Sequence, residues 1–367
     1  MIKPISSKKW SFLSISLILI VCLVLPTLLN LLIDPYTIFH TSPLKQELSV
    51  NQRFNKIEYL KYNPNKYNSF MLGNSRIGTT HPKALEQYLP NSHFYNLTLS
   101  TGNMEDMVTH IEYLIHHNQP IKNIYLQLDY QDMIYWGHDQ KNYEYIQHPD
   151  VSKISYLKFY SDYLLIMPFL NFKEKISRNL IPTLESEVIQ DTYGTGMWIA
   201  INKEKMIKNN PQKYIRNEPS FHVQTINIWK KDPLVYTKML NALQKIVTLS
   251  QQNNINLILY TTPYNHAMLN CFQLDDVAQY LEDISKIHAY YFFSDYNSVT
   301  MTDENYYESG HFRGIVGELI AAKIFNAPKK HLPSDFGIYI TQSNFIHYKE
   351  RIKANFINYR KKLLLKS

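Results

Sequence analysis

Two short stretches of this chain carry residues able to do chemistry together. Asn68 to Arg76 reads NSFMLGNSR: the apolar run Phe70-Met71-Leu72 stops at Gly73, and Ser75 stands on the turn that follows. Glycine admits a sharp turn with backbone close by. A serine placed there points its own N–H, and any helix N-terminus after it, at whatever binds, which suits an oxyanion. Alone, a Gly-x-Ser after a strand is equally an ordinary turn. The second stretch, Tyr307-Glu308-Ser309-Gly310-His311-Phe312, gives it meaning. A serine hydroxyl is a poor nucleophile until a base removes its proton, and the base needs an orienting partner. His311 is such a base, and Glu308, three residues before it, is a carboxylate able to fix the imidazole tautomer. Asp303 is the second choice for that acid.

The elements that must position these residues follow from periodicity. Short apolar runs at Phe70–Leu72, Phe94–Leu97, Ile124–Leu128, Leu257–Thr261 and Tyr290–Phe293 read as strands. Helical patterns lie between most of them, as in Met104 to Ile115, Tyr236 to Ser250 and Val277 to Ile287, and a further helix runs from Phe312 to Phe325. Strands alternating with helices predict an α/β fold with about five parallel strands covered on both faces. Ligands bind such sheets at the carboxyl ends of the strands, where Ser75 and His311 both fall. Asp129 ends the third strand at the same edge and is a weaker candidate. Arg76 reads as a structural ion pair or a substrate clamp. From about residue 131 to 232 the alternation breaks; this insertion is expected to form a lid or docking surface, or to complete the core.

Composition narrows the function classes. The chain has 367 residues, 45% hydrophobic, enough for a substantial core. Cys22 and Cys271 are its two cysteines, so neither a disulfide framework nor a cysteine metal site is expected. His81, His93, His110, His116 and His117 show no metal spacing with carboxylates, and no metal or cofactor is expected. The net charge of +7 is concentrated at the ends, in Lys3, Lys8 and Lys9 and in a tail containing Lys349, Arg351, Lys353, Arg360, Lys361, Lys362 and Lys366. That is no central basic face, and nucleic acid is set aside. Residues 11–33 hold no charge and are long enough to cross a bilayer core of about 30 Å. The run lacks a small-residue cleavage site, which favours an uncleaved signal anchor over a signal peptide. Lysines before it and none just after place residues 1–10 in the cytoplasm and the remainder outside. Residues 34–67 read as a connector, 68–326 as the main domain and 327–367 as a basic amphipathic tail. That tail, with Phe345, Ile352, Phe356, Tyr359 and Leu363 near one face, is expected on an anionic membrane surface or packed on the domain.

Leu72-Gly73-Asn74-Ser75-Arg76 resembles the Gly-Asp-Ser block of the SGNH (GDSL-like) hydrolases, in the Gly-x-Ser-Arg form of their membrane-anchored bacterial members. Glu308-Ser309-Gly310-His311 resembles the Asp-x-x-His block that closes that family. Asp34-Pro35-Tyr36-Thr37-Ile38-Phe39 and Tyr95-Asn96-Leu97 strengthen the likeness to the anchored members of teichoic-acid D-alanylation (DltD-like) and of alginate and other polysaccharide acetylation. The resemblance implies a three-layer flavodoxin-like fold with Ser75 as nucleophile, His311 as base and Glu308 as acid. It implies oxyanion donors at the N–H groups of Ser75 and Gly102. Glu308 stands where the family has Asp, Asn74 where it has Asp, and Leu126-Gln127-Leu128-Asp129 where it has Gly-x-Asn-Asp. Asn96 or Asn103 would then supply the missing amide, or that oxyanion donor is lost. The implied activity is extracytoplasmic serine-dependent acyl transfer or ester hydrolysis on a cell-surface polysaccharide or teichoic acid, beside a membrane O-acyltransferase of the MBOAT type, in a bacterial plasma membrane. The rivals are a simple esterase, a non-catalytic anchored adaptor and a glycan-binding module.

Overall fold

The computed structural model describes residues 6–41, 51–134, 142–166, 189–223, 225–327 and 332–364. Lys3, Lys45, Lys366, the side chains of Lys362 and Leu363, and the middle of the insertion lie outside the described residues. The chain forms two compact units: Met1–Glu58 with Asp139–Ser186, and Tyr59–His138 with Glu187–Ser367. The insertion is therefore divided: residues 139–186 belong to the N-terminal unit, and 131–138 and 187–232 to the unit that holds the sheet.

In the N-terminal unit, the apolar segment forms one long helix, Ser7–Ile33, long and apolar enough to cross a membrane. Pro26 has no N–H to close an ordinary helical turn, and the turn before it, Ile20–Val24, widens to a π-helix. The helix ends against protein: Asn30 is buried and donates to the carbonyls of Leu164 and Ile166 at 2.8 and 2.7 Å. Asp34 then organises the chain. Its carboxylate accepts the N–H groups of Ile38, Phe39 and His40 at 2.7, 3.0 and 2.6 Å, which folds the Asp-Pro-Tyr segment back on itself. Tyr36, Ile38, Phe54, Phe159 and Tyr163 form the core beneath it.

The larger unit is built on a mixed six-stranded sheet. We number its strands β1 (Ser69–Leu72), β2 (Phe94–Asn96), β3 (Asn123–Leu128), β4 (Asn256–Thr261), β5 (Tyr290–Phe292) and β6 (Ile338–Ile340). Their spatial order is β6-β5-β4-β3-β1-β2. The first five are parallel, in registers such as Met71 with Asn96, Leu72 with Leu126 and Leu126 with Leu259. β6 joins antiparallel, pairing Ile338 with Phe292. This sixth strand lies in the segment read as tail; its Ile-Tyr-Ile run is too short to stand out by periodicity.

Every residue of β1 and β3 is buried, as strands covered on both faces must be. Met71, Tyr125 and Tyr260 lie on one face, with the rings of Tyr125 and Tyr260 stacked at 4.4 Å, and pack with Leu85, Val316 and Ile320 of the helices Lys83–Glu86 and Gly314–Ile324. By alternation Phe70, Leu72, Ile124 and Leu126 point the other way, the side of the mutually packed helices Met104–His116 and Pro233–Gln252. The last helix, Gln342–Leu364, takes the packed alternative: it lies along Leu274–Ile287 and buries Phe345, Ile352 and Phe356. Arg360 of this helix is buried too, donating to the carbonyls of Leu269 and Phe272 at 3.1 and 2.7 Å.

Leu126 is fully buried at the centre of the sheet. Leu126→Ala is expected to destabilise the larger unit by about 2–5 kcal/mol, read as a shifted urea midpoint of the detergent-solubilised chain.

Candidate active site

The chain emerges from β1 into a turn that has no room for a side chain at its second position. A Cβ on Gly73 would stand 2.7 Å from the Cβ of Gln127 on β3. Gln127 also accepts the N–H of Asn74 at 3.0 Å and donates to Thr262 at 2.7 Å, so the ends of β1, β3 and β4 are tied together. Asn74 caps the single 3-10 turn Ser75–Ile77, its side-chain oxygen accepting the Arg76 N–H at 3.1 Å. Ser75 is thereby held at the carboxyl edge of the sheet. β1 has β2 on one side and β3 on the other, so the serine stands where the chain switches direction across the sheet.

Under this turn lies a buried charge pair. The Arg76 guanidinium donates to Asp129 Oδ2 at 3.1 Å and to Gln131 Oε1 at 2.8 Å, with the Tyr264 ring 5.1 Å away. Asp129 also accepts from Asn74 at 2.9 Å, Thr262 at 3.1 Å, the Gln131 N–H at 2.8 Å and the Tyr264 hydroxyl. Burial alone would push the Asp129 carboxyl up. The charge of Arg76 and the hydrogen bonds from Tyr264, Asn74 and Gln131 outweigh it and hold the group below the usual carboxylate range. The Asn74 amide donates to Asp129, where a carboxylate in its place would repel it. Arg76 and Asp129 are thus a foundation to the site, as an ion pair. Asp132 is buried close by and its carboxyl is pushed well up, first by burial and then by Asp129.

His311 and Glu308 come from a two-stranded hairpin, Tyr306–Glu308 with His311–Phe312, in which Glu308 and His311 face each other in register. His311 Nδ1 hydrogen-bonds Glu308 Oε1, and His311 Nε2 lies 2.7 Å from Ser75 Oγ. Burial would raise the Glu308 carboxyl; the hydrogen bond and charge of His311, with Lys203, hold it down. An ionised carboxylate only accepts, so Nδ1 carries the proton and the Nε2 lone pair is left to accept the Ser75 hydroxyl. Ser75, His311 and Glu308 are one hydrogen-bonded chain. Asp303 is elsewhere, bonded to Asn265 at 2.8 Å and His266 at 3.2 Å. The serine turn and the hairpin are joined directly, Thr79 Oγ1 donating to the Phe312 carbonyl at 3.1 Å.

Sequence reasoning missed the residues that grip the hairpin from the insertion. Lys203 Nζ lies 3.6 Å from Glu308 Oε2. Its neighbour Glu204 accepts from the Tyr307 hydroxyl at 2.7 Å and from Arg313 at 2.9 and 2.6 Å. Ser220 Oγ accepts the Ser309 N–H at 2.9 Å. A lysine and glutamate on a polar helix give no signal of this before the fold is known.

The expected oxyanion donors divide. Among the described residues no acceptor takes the Ser75 N–H. The Gly102 N–H is directed to the Leu99 carbonyl at 3.2 Å, though its loop packs on the serine turn, with Leu99 N–H on the Gly73 carbonyl at 3.0 Å. Asn96 is spent: its amide nitrogen lies 3.3, 3.2 and 3.1 Å from the carbonyls of Ile77, Gly78 and Thr80 and its oxygen takes the Thr98 hydroxyl, so it shapes the serine turn from below. Asn103 caps the helix Met104–His116 through its side-chain oxygen, and among the described residues its amide N–H₂ has no acceptor. No group of three histidine, cysteine or acidic side chains gathers as metal ligands among the described residues.

No protein-family model matches the chain, and no curated protein sequence matches it.

Removing one partner of the buried pair, in Asp129→Asn or Arg76→Met, is expected to cost about 3–5 kcal/mol in urea unfolding, and the double variant Arg76→Met/Asp129→Leu to recover only the part due to the unpaired charge, since Asn74, Gln131, Thr262 and Tyr264 then lose their acceptor. Because the folded-state affinity of Asp129 for protons is depressed, its contribution is complete above about pH 4 and is lost as pH falls further. The acid limb of wild-type stability should flatten in the double variant; an unchanged limb contradicts this.

Proposed function

We propose that this chain is a membrane-anchored, SGNH-type serine acyltransferase or esterase acting on a cell-surface polysaccharide or teichoic acid. The observation that carries the proposal is the hydrogen-bonded chain from Ser75 Oγ through His311 to Glu308, with 2.7 Å between Ser75 Oγ and His311 Nε2. Supporting it, the five parallel strands run in the order 2-1-3-4-5, that of flavodoxin-like doubly wound sheets, with the nucleophile after the first strand.

In the proposed reaction Ser75 Oγ attacks the acyl carbonyl carbon as its proton passes to His311 Nε2, and Glu308 stabilises the imidazolium. The oxyanion takes the Ser75 N–H and the free Asn103 amide; the Gly102 N–H joins them only by leaving Leu99. Collapse breaks the bond to the leaving group, which receives the His311 proton. An acceptor hydroxyl then gives its proton to His311 and attacks the acyl-serine, forming a new ester and restoring Ser75. Exclusion of water decides between transfer and hydrolysis. The helix Ser7–Ile33 crosses a bacterial plasma membrane with Lys8 and Lys9 on the cytoplasmic side. The acyl donor comes from an MBOAT-type membrane O-acyltransferase.

A second reading, a non-catalytic adaptor for such machinery, is favoured by the engagement of the Gly102 N–H with Leu99. Turnover of p-nitrophenyl acetate, with free acetate and acetylated oligosaccharide both quantified, separates the readings. The enzyme reading predicts that Ser75→Ala or His311→Ala lowers kcat by about 10⁶-fold and Glu308→Gln by about 10⁴-fold. Equal rates in wild type and Ser75→Ala would leave the adaptor.

A further inference from the structure

We propose that the groove between the helices Ile201–Asn209 and Pro211–Asn217 is the acceptor subsite of the Ser75 centre and takes an uncharged sugar chain. This rests on the acyl-transfer reading above. The second half of that reaction needs an acceptor hydroxyl brought to the imidazole side of the site, since His311 must take its proton. The groove has a volume of about 650 Å³, within the range of small-ligand sites. It shares its wall with the acid of the triad: Lys203 lines the groove and lies 3.6 Å from Glu308 Oε2. Tyr214, also in the wall, donates its hydroxyl to the carbonyl of Tyr307, the residue before Glu308, at 2.5 Å. A ligand lying there touches side chains fastened to the hairpin that carries Glu308 and His311.

The lining sets the ligand class. Asn209, Asn210 and Asn217 place three carboxamides around the groove. A carboxamide offers a donor and an acceptor side by side, the pattern that matches neighbouring sugar hydroxyls. The Asn210 oxygen already accepts the Lys213 N–H at 2.9 Å, which leaves its N–H₂ as the group that residue can offer a ligand. Tyr214, fixed by its hydroxyl, adds a rigid ring face at little entropic cost. With Lys203 paired to Glu308, the remaining charges Lys213 and Glu218 are opposite in sign. That balance fits a neutral glycan better than a polyphosphate. Once the acyl-enzyme exists, the sugar hydroxyl oxygen attacks the acyl carbon and its proton passes to His311 Nε2. The bond to Ser75 Oγ breaks, and the same proton returns to Ser75.

The test uses the full chain in detergent and the double variant Asn209→Ala/Asn217→Ala, two exposed helix positions outside the triad. The Ser75 acylation burst from p-nitrophenyl acetate is measured first, then deacylation by maltotetraose and by tetra-N-acetylchitotetraose. The proposal expects a burst within about twofold of wild type and a half-saturating acceptor concentration raised about tenfold or more, the scale of two lost hydrogen bonds. An unchanged acceptor dependence overturns the groove and leaves the acyl-transfer reading standing. If no burst occurs in wild type, that reading fails, and calorimetric binding of the same two sugars to Ser75→Ala protein decides the groove. Binding abolished by the double substitution supports it as a sugar site; no binding, or binding insensitive to the substitution, overturns it.

Discussion

The arrangement depends on one buried carboxylate. Asp129 ends β3 and is the point on which the ends of three strands converge: Asn74 and Arg76 reach it from beyond β1, Thr262 and Tyr264 from beyond β4. A charge taken out of water is costly unless its lone pairs are filled and its charge is matched. Here both conditions are met, and two of the residues that meet them, Asn74 and Arg76, flank Ser75. The serine turn therefore cannot shift without exposing a buried carboxylate to a low-dielectric surrounding. An apolar plug of equal volume would leave the donors of Asn74, Gln131, Thr262 and Tyr264 without an acceptor, and would not fix the orientation of Asn74, whose oxygen caps the turn that carries Ser75.

The acid–base arm is held differently. The serine turn grows from β1, an interior strand of the sheet, whereas His311 and Glu308 sit on a hairpin outside the main sheet. Its position comes from contacts on all sides: Thr79 to the Phe312 carbonyl, Ser220 to the Ser309 N–H, Lys203 to Glu308 and Glu204 to Tyr307 and Arg313. The last part of the insertion is thus a clamp on this arm. Glu308 and His311 pair across this hairpin, which brings the two side chains together.

Ser75, His311 and Glu308 were legible in the sequence because each signal is local. A glycine-serine turn closes an apolar run, and a carboxylate precedes a histidine by three residues. The parallel strands and their helices were legible from periodicity. The remainder depends on which side chains meet across long separations. Asn96 and Asn103 look alike as amides near the site, yet one is consumed by three carbonyls of the serine turn and the other caps a helix through its side-chain oxygen. Arg76 and Asp129 became a pair only when β1 and β3 became neighbours. The sixth strand was hidden by its brevity, and the division of the insertion between two units has no compositional mark. The tail could lie on a membrane surface or pack on the domain; Phe345, Ile352 and Phe356 are buried where it runs along the helix Leu274–Ile287, and Arg360 donates to the carbonyls of Leu269 and Phe272.

The central claim is that the His311–Glu308 pair activates Ser75 in the resting protein. The most direct measurement is reaction of the purified chain with a serine-directed fluorophosphonate, the adduct located by peptide mass spectrometry in wild type, Ser75→Ala and His311→Ala. The account predicts a single adduct on the peptide bearing Ser75, absent in Ser75→Ala and strongly reduced in His311→Ala. A folded wild-type protein that remains unlabelled, or labelling of Ser75 that is indifferent to His311, would contradict it.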